Sequence, residues 1–154
     1  MFTAFPMSGG CACGAVRYAL LGPPTSVQHC HCEICRKMSG EFTSTGAIVD
    51  RSLIRIEGSG NLNRFRSSVS FERQFCKSCG CCLFAYEDSA PSLMYFAPAT
   101  LDAGRHPGHP EGSESHIYTR SKCEWERIGD DLPCYEAASP DEIVTGLQRA
   151  EGLG

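Results

Sequence analysis

Most cysteines of this chain fall into three short clusters whose spacing is typical of metal ligands. Seven of the eleven belong to them: Cys11 and Cys13; Cys30, Cys32 and Cys35; Cys76 and Cys79. Thiolates at C-x-C and C-x-x-C spacing suit Zn²⁺, which takes four ligands in structural sites and keeps one position open in catalytic sites. The first and third clusters together supply four sulfurs, whereas the middle cluster supplies three. We therefore predict one structural zinc site and one site able to do chemistry.

The predicted structural site combines two distant parts of the chain. Cys11 and Cys13 lie two residues apart, so in an extended strand their side chains point to the same side. Cys76 and Cys79 bracket a tight turn, and Gly80 can take the positive φ that such a turn needs. A zinc ion held by these four sulfurs would fasten the start of the chain to its middle.

The middle cluster can close on one ion only if the chain turns directly after Cys32. His29 and His31 then point away from the sulfurs, and the simplest interpretation is that they pack or form hydrogen bonds on the other side. In an alternative interpretation, a distant residue completes the site and makes it structural. The candidates for that fourth ligand are Cys81, Cys82, Cys123, Cys134 and His116.

An open position on a zinc ion held by three thiolates limits the chemistry of the second site. Three thiolates on Zn²⁺ leave a net charge near −1, which weakens the ion as a Lewis acid. Soft coordination nevertheless suits another sulfur ligand, and a thiol bound to such an ion is deprotonated. We therefore expect a substrate that contains sulfur.

Composition narrows the class of protein. A length of 154 residues predicts one domain, and 42% hydrophobic with 21% charged residues predicts a globular one. The formal net charge of −4 argues against a nucleic-acid partner. No apolar run reaches the roughly 20 residues of a membrane span, and the first residues do not resemble a signal peptide. Because cysteines in metal-ligand patterns suit a reducing compartment, we expect a cytoplasmic protein.

The elements that must position these cysteines are mainly short strands. Val16, Tyr18 and Leu20 alternate on one face, and further strands are predicted at residues 43–49, 54–56, 63–68, 69–75, 83–86, 93–97, 116–119 and 125–128. A short helical turn is predicted at 34–38, and an irregular segment at 103–115. The pattern at Ser139 and Glu142 predicts a C-terminal helix over about 140–151. We expect a mainly β fold of short antiparallel strands in one domain over 1–154.

With these motifs in place, the chain resembles the glutathione-dependent formaldehyde-activating enzyme family, which includes the centromere protein V type. The resemblance covers roughly residues 8–136. It rests on the segment Gly9-Gly10-Cys11-Ala12-Cys13-Gly14-Ala15-Val16-Arg17-Tyr18, on Cys30-His31-Cys32 with Cys35-Arg36-Lys37, on Phe75-Cys76 with Cys79-Gly80, and on His116-Ile117-Tyr118, Ser121-Lys122, Trp125 and Leu132-Pro133.

The resemblance implies a β-tent fold with two zinc ions. It implies that Cys11, Cys13, Cys76 and Cys79 hold the structural ion, and that Cys30, Cys32 and Cys35 hold the catalytic one. The implied activity joins formaldehyde and glutathione into S-hydroxymethylglutathione, which is a carbon–sulfur lyase reaction run backwards. The competing hypothesis is a non-enzymatic zinc-binding module that mediates protein interactions.

Several residues outside the clusters carry weaker expectations. A glutathione site needs cations, and the candidates are Arg36, Lys37, Arg64, Arg66, Arg73, Arg120 and Lys122. Trp125 is expected in the core, and His116 is a candidate for lining the substrate pocket. Cys81, Cys82, Cys123 and Cys134 are expected to be small buried hydrophobic residues, with Cys81 nearest to the structural metal.

Overall fold

The computed structural model describes residues 4–140, which form ten strands and one short α-helix. Their bounds are β1 (Met7–Gly10), β2 (Arg17–Leu20), β3 (Ser26–Cys30), α1 (Glu33–Ser39), β4 (Ser44–Asp50), β5 (Ile54–Glu57), β6 (Leu62–Arg66), β7 (Phe71–Cys76), β8 (Cys82–Glu87), β9 (Leu93–Phe96) and β10 (Glu114–Ile117). The predicted mainly β fold is therefore confirmed. No helix among the described residues is both long enough and apolar enough to cross a bilayer.

The strands build a small sheet and a large one. The small sheet has the order β1-β2-β5, and the large one the order β10-β3-β4-β9-β8-β7-β6. Every neighbouring pair is antiparallel except β10 with β3, which runs parallel and places His116 opposite His29. The expectation of antiparallel strands is wrong for this pair, because β10 follows a long connection from β9 that lets the returning strand take either direction.

The main core involves residues of both sheets. Val16, Tyr18 and Leu20 are buried as their alternation predicts, and they join a cluster that includes Phe84 and Phe96. The ring centroids of Tyr18 and Phe84 lie 5.6 Å apart in an edge-on arrangement, a geometry that aromatic pairs favour. Burial of each large side chain contributes about 1.5–3 kcal/mol. This cluster, which also includes Cys11 and Cys76, holds the two sheets together.

The glycine pair that precedes Cys11 has a steric role. Gly9 pairs with Tyr18 across β1 and β2. A Cβ atom at Gly9 would lie 2.3 Å from Cζ of the Tyr18 ring, far inside van der Waals contact. The absence of a side chain therefore lets the ring lie across the strand that leads into the first cysteine pair.

Two expectations about the C-terminal part have different outcomes. The predicted strand at 125–128 is wrong, since these residues form a turn and irregular chain. Trp125 is 77% exposed rather than in the core, and it packs edge-on against Phe42 with centroids 4.5 Å apart. The helix predicted over about 140–151 lies, beyond Pro140, outside the described residues.

Two cysteine clusters as candidate metal centres

Cys11, Cys13, Cys76 and Cys79 come together between the end of β1 and the turn after β7. Their four sulfurs all lie within 4.8 Å of one another. Two of the separations are 3.6 Å, from Cys11 Sγ to Cys13 Sγ, and 3.7 Å, from Cys13 Sγ to Cys76 Sγ. Tetrahedral zinc with Zn–S bonds of about 2.3 Å requires sulfurs about 3.8 Å apart. The donor set therefore fits one tetrahedral metal ion.

Local backbone geometry turns these sulfurs inward. In the turn after β7, the Gly80 amide donates to the Cys76 carbonyl at 2.9 Å, with Gly80 at the predicted positive φ of 75°. The Val16 amide donates to Cys11 Sγ at 3.3 Å, and Asn61 Nδ2 donates to Cys76 Sγ at 3.2 Å. Such donors favour the thiolate form that a metal requires.

The thiols of this cluster have strongly divergent acidities. Burial opposes ionisation of Cys11, yet hydrogen bonds from the Val16 amide and from the neighbouring thiols lower the pKa of its thiol to about 6. At Cys13 the Ala15 amide favours the thiolate, but the interaction with Cys11 and burial outweigh it and raise the pKa to about 12. Cys11 and Cys13 therefore do not ionise together on their own, whereas a divalent cation would balance four thiolates.

Cys30, Cys32 and Cys35 form a second cluster where β3 ends and α1 begins. All three are buried, and their sulfurs lie within 4.8 Å of one another. Cys32 keeps extended dihedral angles of φ −63° and ψ 153°, and the chain enters α1 directly after it. This confirms the predicted turn after Cys32, which brings Cys35 to the side of the other two sulfurs.

The short helix α1 has clear local causes. Glu33 in its first turn pairs with Lys37 one turn later at 2.8 Å, which suits both the spacing and the helix dipole. Gly40 ends the helix at a φ of 71°, and its amide donates to the Arg36 carbonyl at 2.8 Å, as a left-handed C-cap does.

The second cluster has three sulfur ligands and no fourth in the described part of the chain. The candidates for the fourth ligand do not come within metal-ligand distance of this cluster: Cys81, Cys82, Cys123, Cys134 and His116. The expectation that the four cysteines are small buried residues is wrong for Cys82 and Cys134, which are exposed, and for Cys123, which is half-buried. Cys81 is half-buried and packs against the main core. Cys81 does lie beside the four-sulfur cluster, as predicted, since its carbonyl accepts from the Cys76 amide at 2.9 Å.

A cleft that is partly open to solvent leads to the second cluster. Its lining includes Cys30 and Cys35 together with the cation Arg73. Arg73 Nη2 donates to Cys35 Sγ at 3.3 Å, while its Nε donates to Ser67 Oγ at 2.9 Å. The other candidate cations do not line this cleft: Arg36, Lys37, Arg64, Arg66, Arg120 and Lys122.

His29 and His31 lie on the opposite side of β3 from the sulfurs, as predicted, and both are hydrogen-bonded there. His29 contacts Thr45 Oγ1 and Glu114 Oε1, both at 2.8 Å. His31 is fully buried, and its Nδ1 lies 2.9 Å from Glu126 Oε2. Its Nε2 lies 2.8 Å from Nδ1 of His116. His116 therefore belongs to this network, and the expectation that it lines the pocket is wrong, since the cleft lining does not include it.

The hydrogen-bond partners of the His31–His116 pair define its charge. The Nε2 atom of His116 lies 3.1 Å from Asp130 Oδ2, so a carboxylate stands at each end of the two rings. Carboxylates only accept, and one further proton bridges the rings, so four ring nitrogens carry three protons. The pair thus bears one positive charge. Burial opposes this charge at His31 and lowers the pKa of its imidazole.

Replacing Glu126 with alanine should destabilise the fold by about 1–3 kcal/mol, because it leaves the buried Nδ1–H of His31 without its acceptor. Urea unfolding followed by circular dichroism measures the change. Glu124→Ala removes an exposed acid two residues earlier and should be neutral. Equal stabilities of the two variants would contradict a structural role for Glu126.

The sequence offered no pattern that singles out Glu126 or Asp130.

These features define a class: a mainly β protein with two cysteine clusters, each able to hold a metal ion, one of which lies at a cleft. The chain belongs to the family described as "Glutathione-dependent formaldehyde-activating enzyme", whose sequence model matches residues 6–121. It is 26% identical over 159 residues to a Halomonas elongata protein named "Putative glutathione-dependent formaldehyde-activating enzyme", covering 96% of this chain and 97% of that one.

Two further proteins are similar to this chain. An uncharacterized lyase of Schizosaccharomyces pombe is 30% identical over 139 residues, which cover 89% of each chain. The crystal structure of a Rhodobacter sphaeroides protein superposes with a TM-score of 0.54 at 27% identity, covering 66% of this chain and 92% of that one. The resemblance inferred from the cysteine motifs is thereby confirmed.

Proposed function

We propose that this protein joins a thiol to a small aldehyde, as a carbon–sulfur lyase acting in the direction of synthesis, with glutathione and formaldehyde as the first pair to test. One observation carries the proposal: the three-sulfur cluster lies at a cleft and lacks a fourth protein ligand among the described residues. The family name and the names of the relatives support the same class of reaction.

We assign zinc to both clusters. Cys11, Cys13, Cys76 and Cys79 would hold a structural ion with a complete ligand set. Cys30, Cys32 and Cys35 would hold the catalytic ion and leave one position for substrate. We further expect one domain over 1–154 and a cytoplasmic location.

The reaction balances without a redox partner. The thiol sulfur attacks the aldehyde carbon, a carbon–sulfur bond forms as the carbonyl π bond breaks, and the thiol proton ends on the oxygen as a hydroxyl. When bound, zinc supplies the stabilisation of a thiolate or the polarisation of the aldehyde oxygen. Arg73 places a positive charge beside Cys35, which offsets the excess negative charge of three thiolates.

The decisive experiment measures zinc per chain in the reduced protein, and then zinc-edge X-ray absorption with and without glutathione. We expect two zinc ions, one of which gains a sulfur ligand when the thiol is added. Formaldehyde added to that complex should then give the hydroxymethyl thioether, which proton NMR detects. Two ions that ignore every thiol would overturn the proposal and favour a zinc-binding module that mediates protein interactions.

A further inference from the structure

The cleft at the second cluster is apolar over most of its lining. The apolar residues that line it include Met38 from α1, Phe71 from β7, Ala85 from β8 and Tyr95 from β9, and the polar ones include Gln28, Ser39, Ser44 and Thr45. A hydrophobic wall recognises the body of a ligand through buried area, and a few polar groups then fix its orientation. The part of a substrate that enters this cleft therefore has an apolar body.

Apart from the sulfurs that would hold the metal, the charge of the lining has one sign. Arg73 is its charged residue, and the lining contains no Asp or Glu. Within residues 4–140 no carboxylate lies at ion-pair distance from the Arg73 guanidinium, whereas Arg17, Arg64 and Arg66 each have one. Arg73 uses one N–H for Ser67 and one for Cys35, out of the five that a guanidinium carries.

These features exclude one kind of ligand group from the cleft. An ammonium group placed there would be partly desolvated, would find no carboxylate in the lining, and would lie near a second cation, all of which raise its free energy. A carboxylate would instead meet the fork of donors for which arginine is suited. Glutathione carries groups of both signs, so its ammonium would have to remain outside the cleft.

We propose that the cleft takes a thiol with an apolar body and a carboxylate, held by Arg73, and rejects a thiol whose buried end carries an ammonium. This names the substrate class of the proposed function and rests on that function. Arg73 is then the group that determines specificity, and since its Nη2 lies 3.3 Å from Cys35 Sγ, the carboxylate that it binds lies a short chain away from the reacting sulfur.

The test titrates the zinc-loaded protein with three thiols that differ only in their terminal group: 3-mercaptopropionate, 3-mercaptopropanol and 3-aminopropanethiol. Isothermal calorimetry measures affinity, and zinc-edge absorption confirms that each sulfur reaches the metal. We expect the carboxylate to bind about tenfold more tightly than the alcohol, as a charge-assisted hydrogen bond predicts. The amine should bind most weakly.

Two variants attribute this preference to Arg73. In Arg73→Met, the carboxylate should lose its advantage over the alcohol, since the change removes the charge and keeps an apolar stem. Arg64→Met on β6 is the matched control, because it removes a more exposed arginine that does not line the cleft. If Arg73→Met loses zinc or unfolds, Arg73→Lys should retain the order of affinities.

The outcomes separate the inference from the proposed function. Equal affinities for the three thiols, with sulfur at the metal in each case, would overturn the inference while the proposed function stands. A carboxylate preference that survives Arg73→Met, or disappears in Arg73→Lys, would overturn the role of Arg73. Failure of every thiol to reach the metal would overturn the proposed function itself.

Discussion

Replacing Cys79 with serine should lower the melting temperature by about 10 °C or more and should remove one zinc ion per chain. The side chain of Cys79 is exposed, so exchanging its sulfur for oxygen costs little packing. The stability that it carries comes from the metal that it would share with Cys11, Cys13 and Cys76. Those ligands connect segments more than sixty residues apart, and a bound ion adds its binding free energy to that of folding.

The matched control is Cys134→Ser, which changes a cysteine that is also exposed but lies outside both clusters. Differential scanning calorimetry and zinc analysis on reduced protein measure both variants. Cys134→Ser should retain both zinc ions and melt within about 1 °C of the parent, as most surface changes do. If Cys79→Ser behaves in the same way, the four-sulfur cluster has no structural role.

The sequence could predict the two sulfur clusters because their geometry is mostly local. Cys30, Cys32 and Cys35 are joined by a strand and the first turn of a helix, and their spacing alone restricts where the sulfurs can lie. The positive φ of Gly80 likewise follows from the turn that it closes. The pairing of the first cluster with the third was also predictable, because each provides half of a tetrahedral set.

The histidine network could not be predicted, because its contacts are long-range. Glu126 reaches His31 from 95 residues away, out of a segment whose pattern predicted a strand. No periodicity identifies an acid in an irregular loop as the partner of a buried histidine. His116 contacts His31 because β10 pairs with β3 in parallel. The direction of β10 is determined by the whole sheet and not by local sequence.

Trp125 shows the limit of reasoning from residue type. A single tryptophan is usually a core residue, yet this one lies in the same irregular segment as Glu126 and packs against Phe42 at the surface. Glu126, its neighbour, is the residue that faces inward to His31. Which of two adjacent side chains enters the interior is decided by the buried histidine that needs an acceptor.

Replacing Cys35 with serine should reduce adduct formation roughly a thousandfold, because loss of one ligand weakens the metal whose effect is worth several kcal/mol. The fold should survive. Cys35 is fully buried, so a hydroxyl there costs about 1–3 kcal/mol, or roughly 2–12 °C in melting temperature for a chain of this length. The ion lost with it would be held within one short segment, so its loss releases no long-range connection. Zinc content should fall from two ions to one, and the product is followed by proton NMR.

Cys82→Ser is the matched control, since Cys82 lines the same cleft but is exposed and lies outside the three-sulfur cluster. It should retain both zinc ions and its activity within about twofold. Cys35→Ser should lose activity and keep its fold, whereas Cys79→Ser should lose stability, so comparing the two variants distinguishes the two centres. A catalytic centre loses turnover before stability, whereas a structural centre loses stability first. If Cys35→Ser lowered the melting temperature as much as Cys79→Ser does, both clusters would be structural, and the cleft would contain no catalytic metal.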